Sequence, residues 1–188
     1  MRNQTPKKRI LLRGAAAALA LCMVLGFTAC GKKKAPAAIR VDLSGRVYTL
    51  DPQYCTTTLE RCLLKNCMEG LLRRLPDGTM AEGCAENYSV SADGLRYTFT
   101  LRENLQWSDG EPLTAKDFVF AFRRLFRAET NSPYAVEFAA LENSAAVLAG
   151  QMPESALGVT ASGPLTLVFH LSSADDNFLE KLTLPGAM

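Results

Sequence analysis

Residues 95–102 alternate without a break, with Leu95, Tyr97, Phe99 and Leu101 on one side and Arg96, Thr98, Thr100 and Arg102 on the other. A period of two is that of a strand with one face packed and the other wet. Leu165, Leu167, Phe169 and Leu171 repeat the pattern and leave Thr166, Val168 and His170 for the opposite face. A shorter alternation in 40–43 and 46–50, around Ser44-Gly45, predicts an early strand pair ended by Asp51-Pro52. Helical spacing takes over at Leu59, Leu63, Cys67, Met68, Leu71 and Leu72, which predicts a helix over 58–72 closed by a turn at Pro76-Asp77-Gly78. Thr114 followed by Asp117 has the form of a capping box, and Phe118, Phe122 and Leu125 then share one helical face. A further helix is expected over about 134–148, with Phe138, Leu141, Ala145 and Leu148 as a core-facing stripe. Asp-Gly pairs at 77–78, 93–94 and 109–110 recur at equal spacing, but their surroundings do not repeat. They read as three turns of one antiparallel sheet, in which glycine supplies positive φ, and not as a calcium array. No helix or strand is expected over 184–188, the pattern of a chain cut short.

The N-terminus has a different organisation. Residues 1–29 carry five cations and no acid, then an apolar run from Gly14 to Ala29, the layout of an export signal. The run is shorter than the roughly 20 residues that span a bilayer and ends in small residues. Cys30 follows Phe27-Thr28-Ala29, which resembles a bacterial lipobox with Phe27 in the place usually held by Leu. The resemblance makes Cys30 the site of lipid attachment, and the alternative is an ordinary signal with an incidental cysteine. Residues 30–38 lack periodicity and read as a tether, whose three lysines either rest on anionic headgroups or are simply solvated.

Charge changes meaning once these segments are set aside. Eight of the 21 Lys and Arg residues precede position 39 while all 19 acids follow it, so 39–188 carries 13 bases against 19 acids, a net charge of −6. A mildly acidic folded part excludes nucleic acid as an expected partner, since phosphate backbones need a basic surface. Its length suits one core and one domain. Cys55, Cys62, Cys67 and Cys84 allow three disulfide pairings, among which the sequence does not choose; small buried or free thiols are the preferred reading. His170 is the only histidine and no Cys-x-x-Cys occurs, which disfavours a zinc site. The acid pairs Asp109/Glu111 and Asp175/Asp176 sit in turn-like surroundings, and no nucleophile motif or phosphate-cradling loop is present. No cofactor and no catalytic residue are expected.

From residue 49 the chain resembles the family 5 solute-binding proteins of ABC importers, the oligopeptide- and dipeptide-binding group. The resemblance rests on Thr49-Leu50-Asp51-Pro52, Glu69-Gly70-Leu71-Leu72, Ala85-Glu86-Asn87-Tyr88-Ser89-Val90-Ser91, the stretch from Asp93-Gly94 to Arg102, Trp107-Ser108-Asp109-Gly110-Glu111-Pro112 and Thr114-Ala115-Lys116-Asp117-Phe118-Val119, in that order. It runs more thinly through Leu157-Gly158-Val159 and Leu165-Thr166-Leu167.

The resemblance implies an α/β fold of the periplasmic-binding-protein type, class II and three-lobed. Residues 39–188 would supply the opening of lobe I and most of lobe II, about the first third of such a protein. It implies capture of oligopeptides outside the cytoplasm by closure of the lobes, strand-like pairing with the ligand backbone, and delivery to an ABC permease and its ATPase. Cys55, Thr56, Thr57 and Thr58 stand where the family places ligand-facing residues, with Thr56 at a position that is acidic in oligopeptide binders. Ser132-Pro133-Tyr134-Ala135 matches a loop whose tyrosine faces the cleft, making Tyr134 the foremost ligand contact. Other cargoes, a nickel chelate or a sugar oligomer, and a cell-surface enzyme or adhesin are the competing readings.

Overall fold

The computed structural model describes Arg40, Asp42 and residues 44–188. The expected signal, Cys30 and the tether lie outside the described residues. The elements below all belong to the compact unit Leu43–Met188.

Among the described residues six strands fall into two antiparallel sheets. Strands β1 (Leu72–Arg74) and β2 (Met80–Glu82) form a hairpin. Strands β3 (Ala85–Val90), β4 (Arg96–Leu101), β5 (Val159–Ala161) and β6 (Thr166–His170) form a sheet in the order β3-β4-β6-β5. The alternation around Phe99 holds, since Tyr97, Phe99 and Leu101 are all buried. In β6 Leu167 and Phe169 are buried as expected, but Val168 is buried as well, so both faces of this central strand are covered. A bulge at Glu86 shifts the register of β3 on β4 between Ala85 and Asn87.

Helix α1 spans Thr58–Cys67, α2 Ala115–Leu125, α3 Ser144–Leu148 and α4 Phe178–Lys181. Helix α2 packs on the sheet through Phe118, Phe122 and Leu125, and the Asp117 carboxylate accepts the Thr114 backbone N–H at 2.7 Å, as a capping box requires. The core is a cluster of aromatic rings around Phe169, which meets Phe122 at 4.9 Å, Phe178 at 5.4 Å and Phe99 at 5.8 Å, each edge to face. Such contacts add to the area that the rings bury.

Several expectations are corrected. Residues 46–50 join no strand, because the N–H groups of Tyr48 and Thr49 donate to the Glu60 carboxylate at 2.9 and 3.2 Å instead of to a ladder. Helix α1 stops at Cys67, with Leu71 and Leu72 buried at the start of the β1–β2 hairpin. The helix expected over 134–148 is broken. A 3₁₀ turn, Ala135–Phe138, ends before Leu141, which pairs with Leu171, and Asn143 turns left-handed at φ 61° ahead of α3. Ser144 and Val147 are therefore buried, while Ala145 and Leu148 of the expected stripe are exposed. The three Asp-Gly turns all have glycine at positive φ, but they belong to the small hairpin, the large sheet and a loop closed by the Gln106–Pro112 bridge. Residues 178–187 are ordered, as α4 and a 3₁₀ turn Pro185–Ala187, with Phe178, Leu182 and Ala187 in the core.

Candidate functional site

The loop from Asp51 to Thr57 is organised around one residue, Asp51. Asp51 follows Leu50 and precedes Pro52, and its acceptors collect the next free amides: Oδ1 takes the Gln53 N–H at 3.1 Å, and its carbonyl takes those of Tyr54 and Cys55 at 3.0 and 3.2 Å. This is the local turn that aspartate favours. Arg124 of α2 grips the same carboxylate with both terminal nitrogens, and its Nη1 lies 3.0 Å from Asp51 Oδ1 and 3.1 Å from Gln53 Oε1. The Arg124 hydrogen bond, more than the opposing desolvation, holds the Asp51 carboxyl below the usual carboxylate range.

Gln53 is buried and donates through Nε2 to the Ala121 carbonyl at 2.7 Å. Its own carbonyl accepts Ser132 Oγ–H at 2.6 Å. Tyr54 donates its hydroxyl to the Thr130 carbonyl, and the Arg124 guanidinium carbon lies 6.0 Å from its ring centroid. The loop is thereby fastened to α2 on one side and to residues 130–134 on the other.

The expected site residues divide by burial. Cys55 and Tyr134, 79 positions apart, meet: the Tyr134 hydroxyl donates to the Cys55 carbonyl, and both side chains are buried. Gly186 lies against the tyrosine so closely that a Cβ there would sit 2.6 Å from Tyr134 Cβ and Cγ. Burial pushes up both the Tyr134 phenol and the Cys55 thiol. Thr56, Thr57 and Thr58 are exposed. Thr57 is the N-cap of α1, accepting the Glu60 N–H at 3.3 Å, and Arg61 Nη2 donates to the Thr56 carbonyl at 2.8 Å. Among the described residues the hydroxyls of Thr56 and Thr58 make no hydrogen bond. Glu60, almost fully buried, accepts three backbone N–H groups, from Tyr48, Thr49 and Thr57, and the one from Tyr48 does most to hold its carboxyl low.

A separate cleft of about 580 Å³ lies between the end of α1, the 105–108 loop and α2, lined by Met68, Trp107 and Phe118 among others. None of Cys55, Thr56, Thr57, Thr58 and Tyr134 borders it. All four described cysteines are free, Cys55 and Cys84 buried and Cys62 and Cys67 exposed. Among the described residues no group of three His, Cys, Asp or Glu side chains is placed to hold a metal ion, and no helix is long and apolar enough to cross a membrane. Sequence reading overlooked Gln53, Arg124 and Ser132. Only the local Asp51-Pro52 turn and the Ser132-Pro133 start of the second loop were visible signals for them.

Hydrogen bonds thus join the 51–57 loop to the 130–134 segment and to α2. The family model for bacterial extracellular solute-binding proteins, family 5 Middle, matches residues 79–188, and the chain belongs to that family. Over 142 residues it is 36% identical to the periplasmic oligopeptide-binding protein OppA of Salmonella typhimurium, covering 74% of this chain and 26% of that protein. It is 31% identical over 179 residues to a dipeptide-binding protein of Lactococcus lactis, covering 95% of this chain and 32% of the relative. A similarity of 37% over 139 residues, 73% of this chain and 26% of the other, links it to YgiS of Escherichia coli, named as a probable deoxycholate-binding periplasmic protein. The chain thus spans about a quarter to a third of the length of the curated relatives it matches.

Solved structures agree. The substrate-binding domain of an oligopeptide ABC transporter from Bacillus anthracis superposes with a TM-score of 0.71 at 39% identity, over 73% of this chain and 27% of that one. Listeria monocytogenes OppA bound to peptide gives 0.70 at 29% identity, again over 73% and 27%. The α/β periplasmic-binding fold expected from the sequence is the one observed.

Proposed function

We propose that this chain is part of the substrate-binding component of an ABC importer, which captures oligopeptides outside the cytoplasm and hands them to a membrane permease driven by an ATPase. The observation that carries the reading is the joining of the 51–57 loop to Tyr134 through the Cys55 carbonyl, on a scaffold whose relatives are named for oligopeptides and dipeptides. Exposed Thr56, Thr57 and Thr58 then offer hydroxyls and backbone at the surface of this loop, donors and acceptors suited to a peptide main chain. Tyr134 and Cys55, both buried, support those residues from beneath. No catalytic role is assigned to any residue.

Residues 1–29 are proposed as an export signal and 30–38 as a tether, with Cys30 carrying the lipid that anchors the protein at the outer face of the cell membrane. Replacing Cys30 with serine is expected to release the protein from the membrane fraction and abolish an acyl mass increment. Unchanged partition would refute the anchor.

The cargo is tested on the complete translated product by titration calorimetry with a pool of short peptides of mixed sequence and, separately, with deoxycholate. Saturable heat from the pool with little dependence on peptide sequence is expected. Saturation by deoxycholate and none by peptides would overturn the peptide reading while leaving the binding-protein class intact.

A further inference from the structure

The three amides that shape the 51–57 loop, those of Gln53, Tyr54 and Cys55, all bond to Asp51, and Asp51 is held from outside the loop by Arg124. The grip is a fork: one nitrogen reaches an Asp51 oxygen while the other bridges the second Asp51 oxygen and Gln53 Oε1. A planar guanidinium fixes direction as well as distance in such a pair, which an ammonium does not. Ser132 Oγ, Tyr134 Oη and Tyr54 Oη fasten the loop to the segment 130–134, and Arg124, with the Gln53–Ala121 bond beside it, ties it to α2. Helix α2 is the fixed body here, since Phe122 and Leu125 flank this position and both are fully buried.

We propose that Arg124 is a positioning residue for ligand binding: by clamping Asp51 and Gln53 to α2 it holds the Cys55 carbonyl under Tyr134 and sets the outward face of Thr56, Thr57 and Thr58. The inference rests on the binding role proposed above. The Asp51 and Arg124 side chains are 30% and 31% exposed, so water screens part of their attraction, and the fork acts mainly through the direction it imposes. The effect of the clamp is therefore local, on where the loop stands.

Hydrogen exchange and peptide titration on the complete product separate the outcomes. Arg124→Lys keeps the charge and removes the fork, and Asp51→Asn keeps the shape and removes the charge. Each is expected to speed exchange at Gln53, Tyr54 and Cys55 by about tenfold while amides of β4 and β6 exchange as before. Peptide affinity should fall by about tenfold with an unchanged melting temperature. The double variant should add little to either single one, as for two halves of one contact. Unchanged exchange at 53–55 in both variants overturns the clamp. Local deprotection with undiminished peptide affinity overturns its role in binding, and a large drop in melting temperature in both variants makes the pair a packing element instead. If the unaltered protein binds no peptide, the binding role fails, and the exchange arm still decides whether the clamp exists.

Discussion

Tyr134 is 6% exposed, its hydroxyl donates to the Cys55 carbonyl, and Gly186 presses on its ring, so two substitutions there separate two contributions. Tyr134→Phe keeps the ring and deletes one buried donor. The Cys55 carbonyl then loses its partner in a site closed to water, which costs about 1–3 kcal/mol. Tyr134→Ala removes the ring as well. Deleting a buried aromatic side chain costs roughly 3–5 kcal/mol, because the cavity refills only in part. For a domain of this size each kcal/mol lowers the melting temperature by about 2–4 °C, so the alanine variant should melt roughly 6–20 °C lower and the phenylalanine variant about 2–12 °C lower.

Differential scanning calorimetry reads these shifts, and peptide titration of the surviving folded protein reads binding. The phenylalanine variant carries the inference about the site: with the ring in place, loss of the hydroxyl frees the Cys55 carbonyl, and peptide affinity should weaken by about 1–2 kcal/mol. An alanine variant that melts like the unaltered protein would refute the burial argument. A phenylalanine variant that melts lower and binds peptide unchanged would show that the link to Cys55 serves packing alone.

Four further outcomes are expected. Phe169→Ala empties the centre of the aromatic cluster and should cost about 3–5 kcal/mol in a denaturant titration; a loss below about 1 kcal/mol would contradict the edge-to-face core. Cys62 and Cys67 should be alkylated by a maleimide at neutral pH while Cys55 and Cys84 resist, because burial pushes the Cys84 thiol up to about 11 and raises that of Cys55; peptide mapping that finds Cys84 labelled in the native protein counts against this. Glu60→Gln should speed hydrogen exchange at Tyr48, Thr49 and Thr57 while β4 stays protected, and equal protection at those three amides would remove Glu60 as their anchor. Asp51 has a folded pKa below its unfolded value, so its contribution is fully present above about pH 3.9 and is lost as pH falls through the folded value. Protection of residues 53–55 should accordingly survive at pH 5 and fail only in stronger acid, and failure already near neutrality would point to another group.

What the sequence discloses about this molecule depends on how far apart the deciding partners are. The strand around Phe99, the cap at Thr114 and the glycines of the three Asp-Gly turns are set by neighbours within a few positions, and each is found as read. The misread segments were decided from a distance. Residues 141–142 leave the helical path because their backbone pairs with 158, 170 and 171, and residues 48–49 leave the sheet because Glu60 takes their amides. Local periodicity cannot weigh such competitors.

The site follows the same rule. Cys55 and Tyr134 were chosen by resemblance, whereas the contacts joining them, and the Arg124–Asp51 fork 73 positions apart, exist only in the folded chain. Arg124 lies on α2 beside Arg123, and Arg127 follows just past the end of that helix, three cations that look alike in sequence. Only one faces Asp51 and Gln53, since Arg127 turns to Glu154. A loop whose turn is local and whose orientation is tertiary can keep its shape while its attachment changes. Under the proposed clamp, the position of the loop is set by side chains that no ligand needs to touch.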